Sequence, residues 1–287
     1  MLTSQPAVLR LGFLLVGVTG TAVAQDAKPT AEHALQPVLR MANSAYQRME
    51  QEIKDYTCTL AKHERVDGRL MDPELMFIKI RHQQVTAGKV TTPFSAYVKF
   101  LGPAEIKGRE VLWVEGKYHN KLVVRNGGKK FDYVTLAIPV DSDLAKQRNR
   151  YPVPEIGVKN LTRRLIENGQ QEMQYKDCVV KTAPGAKINN RPCTLIQVSN
   201  SVRREDFAYQ FARILVDDEL QLPVYYCAHD WPKEEGGQPR LLEEYTYIDI
   251  KVNVGLTDWD FDHHNDEYHF LKSFDPNSPP VAGTAKK

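Results

Sequence analysis

From Leu35 to Ile53 the apolar residues Leu35, Val38, Leu39, Ala42, Ala45, Tyr46, Met49 and Ile53 recur at three- and four-residue intervals. That spacing places them on one face of a helix spanning 31–53. Pro37 falls near its start, where a helix tolerates the missing N–H. Beyond Ile53 the period changes to two. The stretch 56–66, YTCTLAKHERV, alternates, Asp67-Gly68 signals a turn, and 74–82, ELMFIKIRH, alternates again, so the pair reads as a hairpin. Short strands follow at 95–101, 109–117 and 121–127, separated by Gly and Pro. Helical spacing returns at 155–169 with Ile156, Leu161, Leu165 and Ile166 apolar and Gly169 as the cap. Strands resume at 174–182, 192–200, 206–217, 222–229 and 240–252, with Pro223 and Pro232 suited to strand ends or edges. Nothing in this order suggests parallel βαβ units. The expected class is α+β, mostly antiparallel β: one curved sheet or incomplete β-barrel with helices on its concave face. Two small α+β halves satisfy the same order.

The ends change the picture of compartment. Arg10, the apolar run Leu11–Val18 and Ala22-Val23-Ala24 form a secretory signal over 1–24, so the mature chain is expected to start near Gln25 and to be periplasmic or secreted. No later segment has the length or apolarity of a membrane helix. One domain is expected over 25–274. The tail 275–287, DPNSPPVAGTAKK, carries too little apolar matter to fold and is expected to be disordered. Charge is nearly balanced, 38 Lys and Arg against 36 Asp and Glu, which gives no electrostatic footprint for nucleic acid. An exported chain with four cysteines permits two disulfides. Cys178 and Cys193 flank two short strands around turns and are candidates to face one another across a hairpin. Cys58–Cys227 would follow by elimination. Buried free thiols are the alternative.

Candidate chemistry is sparse. In GLTDWDFDHHNDEYHF, residues 255–270, Asp258, Asp260 and Asp262 alternate with Trp259 and Phe261. On a strand these acids would share one face. A calcium loop needs Gly at its sixth position and Glu at its twelfth, and counting from Asp258 those positions hold His263 and His269. His263 and His264 would point apart on a strand. The expectation is a solvated strand face and no metal. Glu243-Glu244 and Asp217-Asp218 are adjacent acids that face opposite ways on a strand, and both pairs read as surface charge. No nucleophile motif or phosphate loop occurs, so no catalytic residue and no cofactor are expected. What remains is apolar: 214–232 and 245–256 carry many aromatic and branched residues, able to line either a filled core or a cavity.

Several blocks carry a resemblance: DYTCTLAKHERVDGRL, PFSAYVKFLGPAEIKGREVLWVEGK, NRYPVPEIGVKNLTRRLIE, INNRPCTLIQV, ARILVDDELQLPVYYCAHDWP and LLEEYTYIDIKVNVGLTDWDFD. Together, over roughly 50–270, they resemble an exported bacterial family, typical of planctomycetes, catalogued as domain of unknown function 1571. More remotely, the order of elements and Y-x-Y-x-x-x-x-x-N-x-G-L at 245–256 look like the lipoprotein-carrier superfamily (LolA/LolB type). That likeness implies an incomplete barrel holding acyl chains, with the 31–53 or 155–169 helix as a lid. It places Tyr245, Tyr247, Ile250, Val252 and Leu256 in or just after the closing strand as ligand-contact candidates. It implies a non-enzymatic exported carrier of a lipid, acylated protein or other apolar ligand, with a lipid or an exported lipoprotein or envelope protein as partner. The alternatives are an exported structural or interaction module with a filled core and, least favoured, a metal-assisted hydrolase.

Overall fold

The computed structural model describes residues 32–129 and 133–278. From His33 onward the described residues belong to one compact unit. The expected signal at 1–24 and most of the expected tail lie outside the described residues; within the tail, 275–278 form a turn closed by Ser278 N–H on the Asp275 carbonyl at 3.1 Å. No helix among the described residues is long and apolar enough to cross a membrane.

The helical spacing produces α1 (Gln36–Glu52), with Pro37 in its first turn. The first alternating run produces β1 (Asp55–Val66), β2 (Arg69–Leu70), β3 (Glu74–Arg81), β4 (Gln84–Thr86), β5 (Lys89–Thr92), β6 (Ser95–Gly102), β7 (Glu110–Val114), β8 (Lys121–Arg125) and β9 (Thr135–Pro139). A short α2 (Asp143–Lys146) and a longer α3 (Val158–Glu172) follow. The second run gives β10 (Cys178–Ile188), β11 (Arg191–Asn200), β12 (Phe211–Asp217), β13 (Pro223–Asp230) and β14 (Arg240–Val252). β4 and β5 pair on their own. The remaining twelve strands form one antiparallel sheet, ordered β10-β11-β12-β13-β14-β1-β3-β6-β7-β8-β9, with β2 beside β1. The seam between the two runs is β14 against β1, from Tyr56 opposite Val252 to Glu64 opposite Glu243. That seam makes one open, curved sheet of what the sequence also allowed as two halves.

Alternation decides what each face carries. Tyr56, Cys58 and Leu60 of β1, Met76, Ile78 and Ile80 of β3, and Ala96 and Val98 of β6 point to one face, the inner one, where α1 and α3 pack. Each large apolar side chain so buried contributes about 1.5–3 kcal/mol. On β14 the inner residues are Tyr245 and Tyr247, then Ile250 and Val252. The parity changes because Asp249 adopts a left-handed φ of 53° where the β1–β14 register shifts, a bulge that turns even positions inward.

α3 begins three residues later than its sequence spacing suggests. Val153–Glu155 form a 3-10 turn, and Gly157 at φ 107° sets the entry. Gly169 is therefore inside the helix and caps nothing. A Cβ there would lie 2.8 Å from Leu39 Cδ2, so its role is the close approach of α3 to α1.

The disulfide expectation does not survive the register. β10 and β11 form one long hairpin across Asn189-Asn190, both left-handed. Cys178 lies opposite Asn200 and Cys193 opposite Ala186. The run from Cys178 to Ala186 separates them by more than about 20 Å at ordinary strand rise. Cys58 and Cys227 are kept apart by β14. All four are buried free thiols, and burial pushes Cys178 up to about 12, with Glu172 and Asp177 adding to it.

Candidate functional site

α1 and α3 pack over the second meander, leaving an apolar cavity of about 90 Å³ against Ile196, Val198, Tyr209 and Ile214. Over β6–β9 the cover is only α2 and the connection to α3. A cavity of about 360 Å³ lies there. Its floor is apolar: Leu60, Met76, Val98, Val111, Leu122 and Ile138. Leu144 on α2 and Leu136 on β9 stand at its edge and are exposed. Volumes of this order, mostly apolar with a few placed polar groups, are typical of small-ligand sites.

The polar end follows from register. On β1 the inner positions pass from Leu60 to Lys62 and Glu64. Lys62 lies opposite both Tyr245 and Glu74, and Glu64 lies opposite Glu243. Two carboxylates directly across a ladder repel unless something stands between them. Here Tyr245 does: its hydroxyl donates to Glu64 Oε1 at 2.5 Å and lies 3.0 Å from Glu243 Oε2. Burial pushes the Tyr245 hydroxyl pKa well up, with Glu243 and Glu64 reinforcing it, so the proton stays on oxygen. Lys62 Nζ reaches Glu74 at 3.0 Å, Glu64 at 3.4 Å and Asn149 Oδ1 at 2.6 Å. Arg148 pairs with Glu74 at 3.1 Å and Arg150 with Glu243 at 3.4 Å. These contacts tie the 143–157 cover to the sheet.

Arg109 differs from its neighbours. It lines the cavity, its guanidinium lies 5.8 Å from the Phe100 ring, and Nη2 donates to Asn126 Oδ1 at 3.4 Å. No carboxylate among the described residues pairs with it, and its Nε is buried without an acceptor. Burial lowers its pKa from the ordinary guanidinium value, with Glu74 opposing and Arg148 adding to the effect.

Of the five ligand-contact candidates, Tyr245 and Tyr247 line this cavity. Ile250 and Val252 pack against the core beneath α1 and α3, away from it. Leu256 packs on the opposite face of the sheet. Sequence reasoning missed Lys62, Glu64, Glu74 and Arg109. It also read Glu243 and Asp217 as surface charges, whereas both are buried. Asp217 anchors the β12–β13 turn, accepting from Leu220 N–H at 2.8 Å, Glu219 N–H at 3.0 Å and Arg191.

The acidic stretch after β14 is likewise not a strand. Asp258–Phe261 form a 3-10 turn in which the Thr257 and Asp260 side chains cap each other's backbone. The segment then straps the outer face of the sheet, burying Phe261, Tyr268 and Phe270 against Tyr97, Leu112, Val114 and Val123. Tyr268 stacks on Tyr97 at 3.9 Å. Asp260 pairs with Lys79 at 2.8 Å and Asp258 with Arg81 at 2.8 Å. The expectation that all three aspartates face solvent is therefore corrected. Asp260→Asn is expected to cost about 1.5–3 kcal/mol, the range for a charge-assisted hydrogen bond. Asp258→Asn removes a carboxylate that is 82% exposed and screened by water, so even with Arg81 buried it should cost less, under about 1 kcal/mol. Urea denaturation of the two single variants checks the difference.

The family model described as a protein of unknown function (DUF1571) matches residues 53–270. No curated protein matches the chain. Among solved structures, the Mycobacterium tuberculosis lipoprotein LppX aligns at 13% identity and TM-score 0.40, over 79% of this chain and 100% of that one. A LolA superfamily protein from Nitrosomonas europaea aligns at 12% identity and TM-score 0.33, over 77% and 97%. A putative outer membrane lipoprotein-sorting protein domain from Vibrio parahaemolyticus aligns at 11% identity and TM-score 0.34, over 79% and 96%. Similarities this low do not bear on ligand or activity.

Proposed function

The chain belongs to the DUF1571 family, and we propose that it is an exported, non-enzymatic binding protein or carrier for a lipid, an acylated protein or another apolar ligand. The observation that carries this reading is the cavity of about 360 Å³ between the 143–157 cover and a floor that runs from β14, β1 and β3 across to β9. The apolar floor suits a hydrocarbon chain, and Arg109 offers an anionic head group a partner that no carboxylate among the described residues occupies. Tyr245 and Tyr247 are the contact residues on β14; Ile250, Val252 and Leu256 support the wall and strap without touching the ligand.

The test fills the cavity. Val124 and Ile138 line it and are only partly buried, so tryptophan at either position can occupy the hollow without displacing the core. Native mass spectrometry of protein purified from its own compartment should show one lipid-sized adduct per wild-type chain. Val124→Trp and Ile138→Trp, with unchanged circular dichroism, should lose it. Wild type free of any adduct, and unable to take up a long-chain fatty acid, would leave the filled interaction module as the better reading.

A further inference from the structure

We propose that Asp262, His263 and His264 form a binding site for a divalent transition metal of the zinc type, on the outer face of the sheet and independent of the cavity. Adjacent histidines on a strand point apart. The chain is not a strand at this point. It turns after Phe261, and the two imidazole rings lie 3.8 Å apart, centroid to centroid. One ligand atom from each of the three side chains falls within 4.8 Å of the others.

The distances suit one ion. Ligands 2.0–2.1 Å from a tetrahedral zinc stand roughly 3.3 Å from one another. Asp262 Oδ1 is 3.0 Å from His264 Nδ1 and 3.7 Å from His263 Nδ1. His263 is also oriented for the task. Its Nε2 contacts the Phe274 carbonyl at 3.1 Å. A carbonyl only accepts, so Nε2 carries the proton and Nδ1 presents its lone pair toward Asp262. A histidine whose second nitrogen is fixed by a backbone carbonyl is the usual arrangement of a metal ligand. The Tyr118 hydroxyl lies 3.4 Å from the same Nδ1. The carboxylate is aimed by the His264 backbone N–H at 2.8 Å. At present His264 Nδ1 donates to that carboxylate; on metal binding its proton passes to Nε2.

The donor set decides the class of ion. Two imidazoles and one carboxylate suit zinc and its neighbours, whereas calcium takes an all-oxygen shell. Asp262 is 36% and His264 50% exposed while His263 is buried, so water can complete the shell. Through His263 the ion would join the turn to Phe274 and hold the strap on the sheet.

Metal-free full-length protein titrated with zinc chloride should bind one ion per chain by calorimetry. Its melting temperature should rise with free zinc, because an ion that binds only the native state stabilises it. Calcium chloride should do neither. In the double variant Asp262→Asn, His264→Ala, altered at one half-buried and one exposed position, zinc affinity should fall more than about tenfold. If that variant does not keep the wild-type circular dichroism, His264→Ala alone is measured in the same way. Cobalt(II) supplies a second readout, since its visible absorption on the wild type should be lost in the variant. Zinc bound equally by wild type and variant, or no saturable binding by the wild type, would overturn the site.

Discussion

Lys62→Met should cost about 3–5 kcal/mol of unfolding free energy, the range for breaking a buried ion pair by removing one partner. The lysine is 9% exposed and stands between two carboxylates, Glu64 at 4% and Glu74 at 4%. Methionine keeps the volume of the stem and removes the charge, so the loss reports two buried carboxylates left with less compensation. Adding Glu74→Leu should restore more than half of the loss, because one of those carboxylates is then gone. Arg148, freed from Glu74, is 30% exposed and can turn to water. Chemical denaturation of wild type, single and double variants measures all three values. A double variant less stable than Lys62→Met would show that Glu74 is held mainly by partners other than Lys62.

Gly157→Ala should be nearly as damaging, about 2–4 kcal/mol, from backbone strain together with a lost buried hydrogen bond. Gly157 sits at φ 107°, and a Cβ there would lie 2.4 Å from the Tyr56 hydroxyl. That hydroxyl accepts from Val158 N–H at 3.1 Å, at the start of α3, and Tyr56 has no exposed surface. The tyrosine cannot move aside without uncapping the helix. In the background of Tyr56→Phe the clash is relieved, so the added cost of Gly157→Ala should shrink to the backbone strain. Additive losses would mean that the two residues do not meet as described.

The periods of the sequence foretold most of this architecture. Alternation at 56–66 and 74–82 is β1 and β3, and the three-to-four spacing after Leu35 is α1. β9 was missed because TLAIP is too short to establish a period, and the β4–β5 pair because its residues are mostly polar and exposed. The charged end of the cavity was illegible for a different reason. A charge on an alternating strand reads as solvent-facing, yet Lys62 and Glu64 continue the inward parity of Tyr56, Cys58 and Leu60. Only the pairing of β1 with β3 and β14 supplies the Glu74 and Tyr245 partners that make their burial tolerable. The bulge at Asp249 hid which face Ile250 and Val252 occupy, since one extra residue reverses every later side chain. In Asp258–Asp262 the alternation itself misled. Thr257 and Asp260 cap a turn there, and local side-chain bonds to the backbone outweigh a period of two sustained for five residues.

The reading of the cavity as a ligand site is tested most directly by a chain-length series. Straight-chain fatty acids of increasing length, titrated against purified, delipidated protein, should bind at one per chain. Each methylene that enters the apolar floor contributes about 0.8 kcal/mol, so affinity should rise roughly fourfold per carbon and level off when the cavity is full. Affinity that does not change with chain length, or binding that never saturates near one ligand per chain, would contradict an apolar carrier.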